Sequence, residues 1–390
     1  MKYKKEIYLD ASSTTPPRQE VIDLIFNIQR ESWGNPSNLH SVGIKAGELL
    51  ERSRWSMANL LSCANEDIIY TSGATESINL AIVGTAKSIS PGRIIISTVE
   101  HPVVKEAAKS LVRYGWEVDF WPVDSYGNIE LKYIDKYLAK PTKFVSIIWG
   151  QSEIGTIQPV ELIGRECQNR GIIFHTDATQ YIAQSKISWS KLPIDLLSGS
   201  AHKLRGPRGT GFLLKKTSNE IKPFPLFRGG SQEGGLRSGT EPVALIAGMD
   251  LALKLLFDKN YNSEKNKIEK VKDMTSSLKR ELSKIDSIKF TGDPYNRLNH
   301  HISMIIENSN DKVIYGRSLV LELAKRGICA SSGSACSSSS NEPSYVLNAI
   351  GIDPKLQRSA LRLTLGDWLD NEDISSVPYT IKDIINQIRM

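Results

Sequence analysis

The sequence predicts an α/β protein in which a large, mostly parallel sheet is flanked by helices and is joined to a smaller α+β unit. Two patterns support this fold class. Between about residues 17 and 256, short apolar runs alternate with stretches of helical periodicity, as parallel strands alternate with crossover helices. After about residue 257 the order becomes helix, strand, helix, a Ser-rich loop, a short helix, a strand and a last helix. We therefore predict a large domain at 17–256 and a small domain formed by 1–16 and 257–390.

Each element is predicted from a local run of apolar residues or from apolar residues at helical spacing. Strands of the large domain are expected at 67–70, 94–97, 145–148, 172–174 and 211–214, and a helix at 242–257 leads out of that domain. The small domain is expected to hold a strand at 301–306, helices at 313–326 and 343–350, and a strand at 360–365.

Composition limits the classes of protein that the chain can belong to. A hydrophobic content of 40% and a charged content of 24% are typical of a soluble globular protein. No apolar run approaches the ~18 residues of a membrane span. The net charge of +6 is modest, and the Lys-rich stretch 254–289 is predicted to be a solvated helix, so we expect no direct binding of nucleic acid.

The four cysteines are too few and too scattered for a disulfide framework, and they show no paired spacing of the kind that binds zinc. The first residues lead straight into a strand and lack the apolar stretch of a signal peptide. Together these features predict a cytoplasmic protein without a structural metal.

Cys336 lies among small hydroxyl residues and glycine in the segment 330–340, which cannot bury a thiol. Such a segment is typical of a surface loop, at about 328–342, and an exposed thiol is normally a reactive one. The alternative is a Ser-rich linker that contains a cysteine by chance. Cys329 follows the end of a helix and is expected to be buried, yet it is near enough to serve as a second thiol.

Asp177 and Lys203 each follow a short apolar run. In parallel α/β sheets, side chains just beyond the carboxyl ends of strands point into the ligand crevice. A lysine that can form a Schiff base and an acid that can pair with a pyridinium nitrogen are the two groups that pyridoxal phosphate requires. The alternative is a surface lysine and a helix-capping aspartate, each of which is common alone.

The segment 71–77 reads as a turn between a strand and a helix. Ser72 and Thr75 supply hydroxyl groups, Gly73 permits close approach of the backbone, and the helix N-terminus favours an anion. This pattern predicts a phosphate site. An ordinary capping box, with Thr or Ser followed by Glu76, is the competing interpretation.

These segments occur in the same order in a known family. The matching stretches are 8–10, 14–16, 34–37, 71–76, 100–101, 153–155, 177–180, 202–203, 237–240, 331–336, 342–347 and 361–362. The chain resembles the cysteine desulfurases of the aminotransferase class V group, which have the fold type I architecture of pyridoxal phosphate-dependent transferases. The sequence Ser-Ser-Gly-Ser-Ala-Cys at 331–336 is similar to the branch with the longer catalytic loop.

The resemblance implies a role for each matching residue. Lys203 would form the Schiff base, and the other cofactor-binding residues would be Asp177 at the ring nitrogen, Gln180 at the phenolic oxygen, Thr75, Ser200 and His202 at the phosphate, and Ala74 in the same turn. His101 would stack on the ring and move protons. Thr240 would reach the phosphate bound to a neighbouring subunit, which implies a homodimer. Substrate binding would fall to Arg362 and Asn35, and Cys336 would be the nucleophile.

The implied reaction converts L-cysteine to L-alanine and leaves a persulfide on Cys336. The sulfur would then pass to an acceptor protein in iron–sulfur assembly, tRNA thiolation or DNA sulfur modification. A selenocysteine lyase or another class V enzyme is the alternative, since such an enzyme needs Lys203 but does not need Cys336. A non-catalytic scaffold would explain neither residue.

Ser152 is a departure from the family pattern, which has Asn immediately before Glu-Ile-Gly. Ser has a shorter reach and lacks the paired donor and acceptor of an amide. The sequence leaves open whether Ser152, the neighbouring Gln151 or a water molecule takes over the contact to the cofactor.

Overall fold

The computed structural model describes residues 6–257, 267–307, 314–333 and 344–389. The strands are β1 (Ile7–Tyr8), β2 (Ile68–Thr71), β3 (Arg93–Ser97), β4 (Glu117–Trp121), β5 (Thr142–Ser146), β6 (Ile173–Asp177), β7 (Leu196–Ser200), β8 (Gly211–Lys215), β9 (Ile288–Phe290), β10 (His301–Ile306), β11 (Ile328–Cys329) and β12 (Ala360–Thr364).

The helices are α1 (Gln19–Glu31), α2 (Ser41–Leu61), α3 (Ala74–Asn79), α4 (Thr85–Ser88), α5 (Pro102–Ser110), α6 (Ile134–Tyr137), α7 (Val160–Asn169), α8 (Val243–Phe257), α9 (Lys267–Leu282), α10 (Gly316–Lys325), α11 (Tyr345–Ala349), α12 (Pro354–Gln357), α13 (Asn371–Ser375) and α14 (Val377–Arg389). Within the described ranges, no helix is both long enough and apolar enough to cross a membrane.

A seven-stranded sheet forms the centre of the fold, with strand order β2-β8-β7-β6-β5-β3-β4. The strands from β7 to β4 pair in parallel, whereas β8 runs antiparallel to both of its neighbours. The mostly parallel sheet that the sequence predicts is thus confirmed. Because β5, β6 and β7 run in the same direction, their carboxyl ends meet at one edge of the sheet, where a ligand crevice is expected.

Side chains alternate between two apolar layers that cover the faces of this sheet. In β3, Ile95 belongs to the layer that includes buried residues of α1, α2, α7 and α8. Its neighbours Ile94 and Ile96 belong to the opposite layer, with residues of α3 and α5. Burying one such side chain contributes roughly 1.5–3 kcal/mol, so both layers hold the sheet rigid beneath the site.

A second core lies among β9, β10, β12, α9, α10 and α14. Leu9, which follows β1, is fully buried in this core. Strand β1 pairs in parallel with β11, so that Tyr8 lies opposite Cys329. Residues 7–8 are therefore paired with the strand that precedes the predicted loop of Cys336.

Several strands differ from the sequence-based expectation, and β5 and β4 illustrate the reasons. The strand expected at 145–148 is observed as β5, which begins three residues earlier at Thr142. Its first residues are polar, and the apolar Ile147 and Ile148 belong to extended chain beyond the strand. Strand β4 was not predicted, since an edge strand is only half buried and carries a weaker apolar signal.

Candidate active site

A cavity of about 550 Å³ opens beyond the carboxyl ends of β6 and β7, beside the loops that follow β2, β3 and β5. It collects most of the residues predicted from the sequence, which are Ala74, Thr75, His101, Ser152, Asp177, Gln180, Ser200, His202, Lys203 and Arg362. The sheet brings them together because each lies at or just beyond the end of a strand, at the start of α3, in a connecting loop or on β12.

Asp177 is the last residue of β6 and is 5% exposed. Its Oδ1 accepts a hydrogen bond from the backbone N–H of Thr179 at 3.0 Å, which fixes the carboxylate at the start of the following turn. A buried carboxylate in this position suits a protonated ring nitrogen, since burial strengthens the attraction between opposite charges.

His101 caps the N-terminus of α5, and its Nδ1 accepts a hydrogen bond from the backbone N–H of Val103 at 3.3 Å. Burial lowers the pKa of His101, Asp177 raises it and Lys203 lowers it, with a net decrease. The ring is therefore neutral at pH 7, and the capping bond assigns its proton to Nε2. In that tautomer the ring presents an N–H donor at Nε2.

Lys203 ends a single helical turn that follows β7. Its Nζ donates hydrogen bonds to the carbonyl oxygens of Ser12 and Ser13, the latter at 2.7 Å. The same Ser12 carbonyl accepts a hydrogen bond from Nε2 of Gln180 at 2.9 Å. The N-terminal segment thus forms a wall of the cavity and holds two of the predicted cofactor residues.

His202 is connected to the same wall, because its Nδ1 lies 3.1 Å from Oγ1 of Thr14. Burial, together with the charges of Lys203 and Arg208, lowers the pKa of His202 to about 4. At pH 7 the ring is therefore a neutral hydrogen-bonding group. Arg208 also lines the cavity and supplies a positive charge.

The predicted phosphate turn joins β2 to α3 and lies directly against β8. A Cβ on Gly211 would fall 2.7 Å from the Cα of Gly73, so only glycine at 211 permits this approach. Glu76 holds the turn, since it accepts the N–H of Ser72 at 2.7 Å and pairs with Nε of Arg237 at 3.1 Å. The hydroxyl groups and imidazole around this turn fit a phosphate.

Arg362 lies on β12 and is 2% exposed. Its Nη1 donates to the carbonyl of Ser152 at 3.0 Å, and its Nη2 donates to Asp10 Oδ1 at 2.8 Å and to Ser13 Oγ at 2.9 Å. The Nε–H is buried and has no hydrogen-bond partner among the described residues. A planar cation with unused donors at the cavity suits a substrate carboxylate.

The structure distinguishes Gln151 from Ser152. Gln151 is buried, its Nε2 donates to the carbonyl of Val99 at 3.1 Å, and its Oε1 accepts the backbone N–H groups of Glu153 and Ile154. Rotating this amide toward a cofactor would break all of these bonds. Ser152 lines the cavity, and within the described residues its side chain has no such hydrogen bonds to break.

Two predicted residues do not line this cavity, and a third lies outside the described residues. Asn35 is exposed, and its Oδ1 accepts the N–H of Ser37 at 2.9 Å, so the single chain does not place it near Arg362. Thr240 is exposed and lies away from the cavity lining. Cys336 falls in 334–343, outside the described residues.

Sequence reasoning missed Asp10 and Glu153 as members of the site. Asp10 is the ion-pair partner of Arg362, and Glu153 lines the cavity with its carboxyl buried. A signal for Asp10 was present, because it directly follows a short apolar strand, as Asp177 does. Nothing in the sequence around Glu153 indicates a buried carboxyl.

Comparison with known proteins defines the family. A family model described as aminotransferase class V matches residues 7–377. The cysteine desulfurase IscS of Dictyoglomus turgidum is 38% identical over 389 residues, which cover 99% of this chain and 96% of that protein. The solved structure of a NifS-like protein matches with a TM-score of 0.88 and 30% identity, and covers 98% of this chain and 100% of that chain.

A further solved structure, of SspA in complex with cysteine, has a TM-score of 0.79 and 30% identity, and covers 93% of this chain and 99% of that chain. The chain belongs to the aminotransferase class V family. Within that family its relatives place it in the cysteine desulfurase group. These findings confirm the family, the fold class and the dependence on pyridoxal phosphate that the sequence predicts.

Proposed function

We propose that this pyridoxal phosphate enzyme is a cysteine desulfurase in which Lys203, Asp177 and Arg362 act on L-cysteine and Cys336 receives the sulfur. The observation that carries this proposal is the meeting of a lysine, a buried carboxylate and a buried arginine at one cavity. The first two serve the cofactor, and the third provides a counter-charge for the carboxylate of an amino acid.

The residues present fit the cofactor. Lys203 would bind it covalently, Asp177 would pair with its ring nitrogen, and Gln180 and Ser152 would lie toward the phenolic oxygen. Ala74, Thr75, Ser200 and His202 surround the place where a phosphate fits. When bound, pyridoxal phosphate withdraws electrons from the substrate Cα and so acidifies the proton on that atom.

Proton movement is assigned to Lys203 and His101. The carbonyl oxygens of Ser12 and Ser13 lie within hydrogen-bonding distance of Nζ, so they hold the amine of Lys203 in the cavity while it takes a proton from the substrate Cα. The hydrogen bond from the backbone N–H of Val103 leaves the proton of His101 on Nε2, so this imidazole would serve as a hydrogen-bond donor beside the cofactor ring.

Arg362 orients the substrate. The guanidinium is fixed by Asp10 and Ser13 on Nη2 and by the carbonyl of Ser152 on Nη1, which leaves its remaining N–H groups for a carboxylate.

Sulfur transfer is assigned to Cys336 as its thiolate. The thiolate sulfur forms a bond to the substrate sulfur, and the bond between the substrate sulfur and Cβ breaks. The electron pair of that bond stays on the carbon side, which is protonated and released as alanine. Cys329 is the weaker candidate, since burial and the charges of Glu6 and Asp10 raise the pKa of its thiol.

The assembly and the destination of the sulfur belong to the same proposal. Thr240 is exposed, and α1 and α2 present large exposed apolar side chains, which include Phe26 at 62% and Trp55 at 64%. Such a surface supports a homodimer in which Thr240 serves the other subunit. The acceptor would be a protein of iron–sulfur assembly, tRNA thiolation or DNA sulfur modification, and the enzyme would act in the cytoplasm.

The decisive experiment measures alanine and sulfide released from L-cysteine in the presence of a thiol reductant. The wild type should release the two in equal amounts, Lys203→Ala should release neither, and the exposed control Lys186→Ala should match the wild type. Alanine release by folded Lys203→Ala at more than about a hundredth of the wild-type rate would exclude the role assigned to this lysine.

A further inference from the structure

Arg205 has a left-handed backbone conformation, with φ +61°, two residues beyond the predicted cofactor lysine, Lys203. This conformation is unfavourable for a residue that carries a Cβ, and it persists where surrounding contacts enforce it. The contacts that hold residue 205 therefore also determine how the turn carries Lys203.

The segment that precedes α1 holds the backbone of this turn. The backbone N–H of Arg205 donates to Oγ1 of Thr15 at 2.9 Å, and its carbonyl accepts the backbone N–H of Arg18 at 3.0 Å. Thr15 also donates twice to the carbonyl of His202, from its backbone N–H at 3.1 Å and from Oγ1 at 2.7 Å. The turn is thus bonded at both ends to the N-terminal segment that also accepts hydrogen bonds from Nζ of Lys203.

The side chains of Arg205 and Arg18 converge on one carboxylate, that of Asp367. Nη1 of Arg205 donates to Oδ1 at 2.8 Å, and Nη2 of Arg18 donates to Oδ2 at 2.5 Å. All three side chains are largely removed from solvent, so these ion pairs are only weakly screened. Burial raises the pKa of Asp367, whereas Arg18 and Arg205 lower it, with a net decrease. The group is therefore ionised at pH 7 and accepts a charge-assisted hydrogen bond on each oxygen.

Asp367 is carried by the second core. Leu365 and Leu369, on either side of it in sequence, are both buried in that core. The ring centroid of Trp368 lies 5.3 Å from the guanidinium carbon of Arg205, a cation–π contact that adds to the ion pair. One core thus supplies the carboxylate, and the large sheet supplies the turn that it binds.

A second, smaller cavity of about 40 Å³ shows how close these ion pairs lie to the cofactor lysine. Arg18, Arg205 and Asp367 line it together with Lys203 and Gln180. Lys203 and Gln180 line the large cavity as well, whereas Asp367 does not. Any effect of Asp367 on the cofactor therefore acts through another residue.

We propose that Asp367 is a positioning residue, which holds Arg205 in its left-handed conformation and so sets the turn that presents Lys203 to pyridoxal phosphate. The carboxylate binds the guanidinium of Arg205, and this contact fixes the backbone from which Lys203 extends. Arg18 binds the second carboxylate oxygen and joins the N-terminal segment to the same point. The proposal rests on the role assigned to Lys203 in the proposed function.

The test measures how fast Lys203 captures its cofactor. The cofactor is removed from the full-length holoenzyme with hydroxylamine, pyridoxal phosphate is added back, and samples are reduced with borohydride at set times. Mass spectrometry of peptides then gives the labelled fraction of Lys203, and circular dichroism and the Tm report folding. The control is Asp250→Asn, which alters another buried carboxylate, one that binds Lys254 and Ser56.

Asp367→Ala should slow capture roughly tenfold, the order expected when a left-handed residue loses its support. Arg205→Ala should slow capture by a similar factor, since alanine keeps the unfavourable backbone and loses the contact to the carboxylate. Arg205→Gly should stay within about threefold of the wild type, because glycine adopts this conformation without support. Asp250→Asn should match the wild type.

The double variant Asp367→Ala/Arg205→Gly separates positioning from a general structural effect. With glycine at 205 there is no guanidinium for the carboxylate to hold, so removing Asp367 should slow capture by less than about threefold relative to Arg205→Gly. Asp367→Asn, which loses the charge, should fall between the wild type and Asp367→Ala, and it takes the place of the alanine variant if that variant does not fold.

A roughly tenfold effect of Asp367→Ala in the glycine background would overturn the proposal, because the carboxylate would then act without Arg205. Capture by Asp367→Ala at the wild-type rate would also overturn it, and so would capture by Arg205→Ala as fast as by Arg205→Gly. Failure of the desulfurase function is separable. It would appear as a wild type that captures pyridoxal phosphate on Lys203 and releases no alanine, while the capture rates still report on Asp367.

Discussion

Asp10 and Arg362 form an ion pair at 2.8 Å across 352 positions of sequence, and both side chains are largely removed from solvent. The acid orients the guanidinium and offsets its charge when no carboxylate is bound. An incoming substrate carboxylate therefore meets a cation that is already aligned, which lowers the ordering cost of binding.

The first prediction concerns this pair. Asp10→Ala should raise the KM for cysteine several-fold, because Arg362 loses the acceptor that orients it. Asp10→Asn keeps an oxygen in the same place and should raise KM less. Arg362→Lys should lower kcat/KM by about tenfold or more, since an ammonium lacks the two-pronged geometry. Steady-state kinetics of alanine release measures all three, and equal KM values for the Ala and Asn variants would contradict the orienting role.

The second prediction concerns the nucleophile. Cys336→Ser should retain the bound cofactor and its response to cysteine, yet form no persulfide, because a hydroxyl is a poor nucleophile toward sulfur at neutral pH. Cys329→Ser is the matched control and should still form the persulfide, since the raised pKa of Cys329 leaves little thiolate. Mass spectrometry of peptides after addition of cysteine measures both. Extra sulfur found first on Cys329 would reverse the assignment.

The third prediction separates Ser152, Gln151 and Gln180. Ser152→Ala should lower kcat/KM less than tenfold, because one neutral hydrogen bond contributes about 0.5–1.5 kcal/mol. Gln180→Ala should lower kcat/KM more than Ser152→Ala does. Gln151→Ala should chiefly lower the Tm, because it leaves the N–H groups of Glu153 and Ile154 without their acceptor.

The comparison requires kcat/KM and Tm for each of these variants. Ser152→Asn should be tolerated, and it should raise turnover if the amide reaches the cofactor. A Gln151→Ala variant with normal Tm and a kcat/KM as low as that of Gln180→Ala would show that Gln151 contacts the cofactor.

The fourth prediction concerns Glu100. Burial raises the pKa of its carboxyl from 4.5 to about 8, although hydrogen bonds from Ser97 and Ile148 act to lower that pKa. The native state keeps a proton that the unfolded chain releases, so this group stabilises the fold fully below pH 4.5, and that contribution is lost as the pH rises to about 8. Glu100→Gln does not titrate. Its Tm relative to the wild type should therefore increase between pH 4.5 and 8 and stay level above that range.

Thermal unfolding over a pH series measures this difference. The Glu106→Gln variant, which removes an exposed carboxylate, is measured alongside as a control for the substitution itself. A Tm difference for Glu100→Gln that does not change with pH would show that the carboxyl of Glu100 is ionised in the folded protein.

The sequence predicted what depends on local pattern. The alternation of apolar runs and helices located the sheet, and the chemistry of Asp177 and Lys203 at strand ends located the cofactor residues. It could not predict that Asp10 would meet Arg362, because β1 consists of two residues and the pairing joins distant parts of the chain. It also named Asn35 and Thr240 from the family pattern, and neither lies at the cavity of the single chain.

The hydrogen bonds from Lys203 and Gln180 to the carbonyl of Ser12 determine when the site can form during synthesis of the chain. Ser12 leaves the ribosome before both of these partners, which follow 168 and 191 residues later, and Arg362 follows later still. Domains fold as units during synthesis, and contacts of large sequence separation form late. The N-terminal strand, which is partly apolar, therefore stays unpaired until most of the chain has been translated and its partners are present. Cofactor loading should accordingly be a post-translational event, and a nascent chain that ends before β12 should not retain pyridoxal phosphate.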